Sequence, residues 1–369
     1  MSKTSGIPFL PSGAVFCPRG GVVPSALGRF TRTRENGYSH LDLLVLMARE
    51  RRSHPFGEDM RIRPADVLTL LYLTVVSLLV VAFHGRVADW GWLVCSLGLF
   101  AVSVLVVAVW EGRCPTRPWV VLFHLVYPLL VVPLLYPMVQ RYVLVLWGRF
   151  LDSEMISVEW VVFGAQPNLL FDRIASRPLN EIMMACYSAY YPLLVVPPLL
   201  LVVRRRWREL ELFVCLLLAA LYVCYLGFVV VPLRGPVVAL AEVFAQPSLS
   251  GYVVVPAQQF VMAHADPAGA CFPSSHVAAA WVVLLVLRRI HGWRVVAALV
   301  PVVVGLTVAV VYTRYHYVAD ALAGLVVAGL CYGVGGRLWA RASARRRGMA
   351  RVRLGQVWVG SRTGSSGPR

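Results

Sequence analysis

The chain has 369 residues, 59% of them hydrophobic and 14% charged, with a mean hydropathy of +0.70. That is too apolar for an ordinary soluble globular protein, so the bilayer is the expected solvent. The net charge of +17 would suit nucleic acid, but the arginines sit where membrane-topology signals sit, and no nucleic-acid partner is expected.

Residues 1–63, rich in Gly, Pro and Arg, read as a basic arm, disordered or lying on anionic lipid. It holds no short apolar core ahead of a cleavage site, so no cleaved leader is expected. Eight apolar runs follow, at 67–83, 90–110, 119–139, 182–203, 212–231, 272–287, 295–312 and 317–338. Most approach the roughly 20 residues a helix needs to cross a hydrocarbon core; the sixth is short. The expected fold is all-α, a polytopic membrane bundle, with a second basic segment at 339–369. With both termini inside, cytoplasmic segments hold 28 of the 35 basic residues and outer segments seven, which satisfies the positive-inside rule and suggests the plasma membrane's topology. The long loops 140–181 and 232–271 then lie outside, where long loops carry function or cover something. Eight cysteines are scattered without CxxC spacing, so neither a disulfide nor a structural zinc is expected.

Polar residues collect at the outward end of the last runs. Leu233-Arg234-Gly235-Pro236 follows the fifth run, Phe272-Pro273-Ser274-Ser275-His276 opens the sixth, and Tyr312-Thr313-Arg314-Tyr315-His316 joins the seventh to the eighth. His316 and Asp320 are four apart, which on a helix sets both on one face. There the carboxylate can hold one imidazole nitrogen and leave the other as a nucleophile; the spacing equally describes an interfacial histidine held by a neighbour. His276 follows a proline-serine helix start, whose N–H groups and dipole suit phosphate. Ser274 and Ser275 belong to that anion site, and His276 can protonate a leaving oxygen, although a plain helix start has the same residues. Arg234 and Arg314 can grip phosphate oxygens or reach for lipid headgroups. The convergence of two histidines, two arginines, an aspartate and a helix N-terminus on one side favours phosphate transfer. Tyr187, Tyr190 and Tyr191 can bind an acceptor headgroup or pack at the interface. No metal is expected, because the arginines and helix terminus supply the charge stabilisation, and His264, His276 and His316 lack a close ligand spacing.

These residues resemble the type 2 phosphatidic acid phosphatase (PAP2) superfamily, which shares its site with haloperoxidases. Arg234-Gly235-Pro236, Pro273-Ser274-Ser275-His276 and His316-Tyr317-Val318-Ala319-Asp320 are similar to its three motifs. The forms Phe-Pro-Ser-x-His and His-Tyr-x-x-Asp look most like the subgroup containing inositol phosphorylceramide synthases, as do Phe163-Gly164, Pro167, Glu181 and the three tyrosines. The resemblance implies a six-helix catalytic domain over 119–338, preceded at 64–118 by two extra transmembrane helices. It also implies a lipid-phosphate phosphatase or phosphotransferase, inositolphosphotransferase-like and without a cofactor. By position, His316 would attack phosphorus, Asp320 would orient it, and His276 would protonate the leaving group and then activate water or an alcohol. Arg234 and Ser274 would hold the phosphate. Three departures stand out: Gly227 replaces the first motif's lysine, Gly235 separates Arg234 from Pro236, and Ala309-Val310 replaces the third motif's Ser-Arg pair. Arg314 is then the candidate for the missing positive charge. A reading from another class is a phosphate-lipid-binding protein or transporter without turnover, for which Pro192, Pro197 and Pro198 would suit a broken helix.

Overall fold

The computed structural model describes residues 60–246, 248–265, 267–342 and 344, all within one compact unit, 40–369. Residues 1–59 of the basic arm, with its leader reading, and most of the basic tail lie outside the described residues. Among the described residues every regular element is helical. The helices of six or more residues, in chain order, are α1 (Pro64–Ala82), α2 (Trp90–Arg113), α3 (Pro118–Leu135), α4 (Asp152–Phe163), α5 (Pro167–Asp172), α6 (Arg177–Ser188), α7 (Tyr190–Val203), α8 (Trp207–Val230), α9 (Val254–Ala265), α10 (Ser275–His291), α11 (Trp293–Tyr312) and α12 (Val318–Leu330).

Among the described residues, seven spans are long and apolar enough to cross a membrane: Pro64–Ala82, Trp90–Arg113, Pro118–Tyr142, Arg177–Val203, Trp207–Val230, Trp293–Tyr312 and Val318–Ala342. They support an integral multi-pass membrane protein. All eight apolar runs are helical, but the sixth becomes α10, with only 17 residues. At 1.5 Å per residue that is about 26 Å, short of the roughly 30 Å hydrocarbon core. Its place explains the length. Val277, Ala278, Ala279, Ala280, Val282, Val283, Leu284, Val286 and Leu287 are all buried, because α7, α8, α11 and α12 pack around it. A helix apolar all round belongs at the centre of a bundle. Ser274 caps its start, accepting from Val277 N–H at 3.4 Å, and Gly292, at φ 76, ends it after Arg288, Arg289 and His291.

Prolines sit where the backbone tolerates them. Pro64, Pro118, Pro167 and Pro178 occupy first turns. Pro197 and Pro198 lie inside α7 without interrupting it, and the break in this span falls at Ala189, between α6 and α7.

The loop 140–181 folds over the bundle end where α8 and α11 finish and α10 and α12 begin. Asp152, at the start of α4, accepts from the N–H groups of Arg234 and Gly235, both at 3.0 Å, and from Tyr317 Oη at 3.1 Å. Glu159 Oε1 accepts from Val318 and Ala319 N–H at 2.6 and 3.2 Å, capping α12 from outside its own sequence. Asn168 Nδ2 donates to Val311 O at 2.8 Å and His316 O at 3.1 Å.

Candidate active site

Three chain segments meet through their backbones at this end. Ser274 N–H donates to Asp320 O at 3.0 Å, Val237 N–H to Arg314 O at 2.7 Å, and His316 N–H to Val310 O at 3.0 Å. Two glycines allow the approach. A Cβ on Gly324 would stand 2.7 Å from Ser274 O, and one on Gly235, at φ +87, 2.7 Å from Tyr315 O. Only the absence of a side chain lets α12 lie this close to the start of α10.

His316 and Asp320 are adjacent, but not as two residues on one helix face. α12 begins at Val318, so His316 lies in the preceding turn. Asp320 is the third helical residue and folds back to accept from Tyr317 N–H at 2.8 Å, which is one half of a capping box. The same oxygen, Oδ2, lies 3.4 Å from His316 Nδ1 and 2.9 Å from Cys271 Sγ. The cap, rather than helical periodicity, brings imidazole and carboxylate together.

The His276 and His316 rings face each other edge-on with centroids 5.8 Å apart. Tyr187 and Tyr190 flank His276 at 4.7 and 4.2 Å. Tyr191 is turned away and accepts from Gln258 Nε2 at 3.1 Å. Among the described residues, His276 Nδ1 and Asp320 Oδ1 are buried without a hydrogen-bond partner.

Both histidines line a cavity of about 500 Å³, together with Arg234, Cys271, Tyr187 and Arg314. Its walls do not include Ser274 or Ser275, which are buried. Ser274 Oγ is engaged as the cap of α10, so its service to an anion lies in presenting the helix N-terminus.

The two arginines differ. Arg234 is 47% exposed, 3.8 Å from Asp152 through Nε and 5.4 Å above the Phe150 ring. Arg314 is 3% exposed. Its guanidinium is hydrogen-bonded to Asp172, donates to Gln246 O at 2.8 Å and stacks 4.0 Å over Phe244. Its φ of 65 costs a non-glycine residue about 1–2 kcal/mol, and the buried ion pair and stack hold it there. The charge of Arg314 is therefore already met by Asp172, which leaves Arg234 as the cavity-lining arginine with solvent access. At Gly227, where a lysine was expected from the resemblance, a Cβ would collide with Pro273 Cδ; the backbone has closed over that position.

The spacing of motifs did not reveal Asp152, Glu159, Asn168, Asp172 or Cys271. The first four share the 140–181 loop, and their clustering there was the available signal. Burial pushes the Glu159 carboxyl above the usual glutamate range, against the pull of its two N–H donors.

Residues 155–334 match the sequence model of the PAP2 superfamily. The match runs from within α4 to the π-helical segment Cys331–Gly335 that continues α12, and leaves α1–α3 outside. No curated protein and no solved structure matches the chain.

Proposed function

We propose that this membrane protein is a lipid-phosphate phosphatase or phosphotransferase working through a phosphohistidine. The facing imidazoles, 5.8 Å apart and lining one cavity together with Arg234, carry the reading, and the superfamily match over 155–334 supports it. His316 Nε2 attacks phosphorus while Asp320 holds the Nδ1 side of the ring. The P–O bond to the leaving group breaks, and His276 gives that oxygen a proton. His276 then removes a proton from water or an alcohol, whose oxygen attacks the phosphohistidine and breaks the N–P bond. Arg234 and the N-terminus of α10 balance the charge on the phosphoryl oxygens.

The basic-residue asymmetry supports a site on the outer face with both termini inside. We assign catalysis to 119–338, with 64–118 as an added helical pair. Transfer to an inositol-type headgroup is the favoured second half-reaction, on the motif forms alone.

Phosphate release from phosphatidic acid and prenyl pyrophosphates, measured in lipid with and without alcohol-headgroup acceptors, tests the reading. His316→Ala should lower turnover about 10³-fold or more while the protein remains folded and inserted. Product on an acceptor identifies a transferase. Equal turnover in wild type and His316→Ala overturns the mechanism, and binding of lipid phosphates without turnover would point to the transporter class.

A further inference from the structure

Cys271 lies 45 residues from His316 and 49 from Asp320 in sequence, yet the three form a tight triangle of donor atoms. Cys271 Sγ is 2.9 Å from Asp320 Oδ2 and 3.5 Å from His316 Nδ1, and Nδ1 is 3.4 Å from Oδ2. Sulfur, nitrogen and oxygen held tetrahedrally at zinc's usual bond lengths stand roughly 3.3–3.6 Å apart. Two edges already fit, and the third needs to open by about half an ångström. Thiolate, imidazole and carboxylate are also the ligand types that this ion takes. A second feature concerns the same carboxylate: Asp320 is fully buried, Oδ2 is the oxygen that closes the triangle, and the other oxygen, Oδ1, has no hydrogen-bond partner, so the buried charge is met on one side alone. Cys271 and His316 line the cavity, which gives an ion its way in.

We propose that Cys271, His316 and Asp320 form a binding site for a thiophilic divalent cation of the zinc type, with its fourth position facing the cavity. Binding forms a metal–sulfur bond and releases the thiol proton to solvent. The consequence for turnover rests on the phosphohistidine reading: the ion takes the imidazole nitrogen that Asp320 orients and draws electron density from the ring, so occupancy and catalysis exclude each other. The site is inhibitory and needs no change of fold.

Cobalt(II) or cadmium(II) titrated into the purified full-length protein should produce a thiolate-to-metal charge-transfer band saturating at one equivalent and displaced by zinc. The band should vanish in Cys271→Ala and in Cys271→Ser, with affinity about 100-fold weaker or undetectable; the serine variant serves if the alanine variant fails to fold. In parallel, zinc should suppress wild-type phosphate release about tenfold or more, reversibly with a chelator, while the ratio of release with and without zinc stays near one in either variant. A band unchanged in both variants overturns the site. The spectroscopic result stands whether or not any phosphate donor is turned over, so failure of the site and failure of the catalytic reading are separate outcomes.

Discussion

The two arginines of the cavity have opposite prospects. Arg234 keeps solvent contact and only a long ionic approach to Asp152, so it can trade that partner for a phosphoryl group. Arg234→Gln should lower kcat/KM for a phosphate donor by about 10²-fold, the scale of removing one charged stabiliser, with thermal stability nearly unchanged. Arg314 is the reverse. Removing it strands the buried Asp172 carboxylate and the face of Phe244, and breaking a buried pair from one side costs about 3–5 kcal/mol. Arg314→Gln should therefore lower the melting temperature in detergent first, and Asp172→Asn should do the same. If Arg314→Gln instead kept full stability and lost only phosphate affinity, the guanidinium would be acting on substrate. Ser274 belongs with Arg314: its oxygen faces Val277 N–H, and its loss acts through the start of α10.

The decisive contact between elements is α12 against the first turn of α10. Gly324 sets it, since a Cβ there meets Ser274 O at 2.7 Å, Val277 Cβ at 3.1 Å and Ala278 N at 3.3 Å. Two of those three atoms belong to the backbone and cannot step aside as a flexible side chain would. Gly324→Ala should push α12 outward, carrying Asp320 away from the α10 terminus. The expected result is an overpacking loss of roughly 1–3 kcal/mol together with a fall in turnover larger than any change in KM. Retained turnover in a fully folded Gly324→Ala protein would show that the spacing is not critical. The same logic explains Gly227, where Pro273 occupies the space a side chain would need. The charge that a lysine there would bring cannot be restored without moving the α10 entrance.

Across the whole molecule, the site occupies one end of the bundle and a second polar cluster the other. Glu111 of α2, fully buried, pairs with Arg63 at 2.6 Å and Arg61 at 3.1 Å. His124 of α3 lies between Asp66 at 2.8 Å and Glu111 at 2.6 Å, the second approach off the hydrogen-bond line. Tyr127 donates to Asp66 at 2.9 Å, and Arg63 reaches Glu211 of α8 at 3.3 Å. Ionisable groups at membrane depth persist only when paired, and this network clamps α1 and α2 to α3 and α8. Thr69 to Tyr222 at 3.0 Å and Tyr72 to Tyr142 at 2.6 Å continue the seam toward the cavity end. Glu111→Ala leaves Arg61, Arg63 and His124 without their shared partner and should cost about 3–5 kcal/mol of stability, read as a lower melting temperature. Turnover below that temperature should remain close to wild type if 64–118 serves as a brace; a selective loss of turnover would instead place the helical pair in the catalytic cycle.

The sequence by itself determined the class of molecule and the segments that meet at the candidate site. Apolar run lengths are a local property, and a hydrocarbon solvent forces each run to satisfy its backbone internally, so the helices followed from composition with ends shifted by only a few residues. The Pro-Ser-Ser-His start and the His316–Asp320 pair were legible because each is contained within five residues. Tertiary structure alone decided the rest. Asp152, Glu159 and Asn168 act on backbone groups roughly 80–160 residues away, and a carboxylate that caps a distant loop carries no mark of it in its own neighbourhood. The commitment of Arg314 to Asp172, the closed space at Gly227 and the approach of Cys271 to His316 have the same origin. Charge neutralisation, excluded volume and donor geometry are properties of atoms in contact, and chain order does not encode which distant atoms will touch.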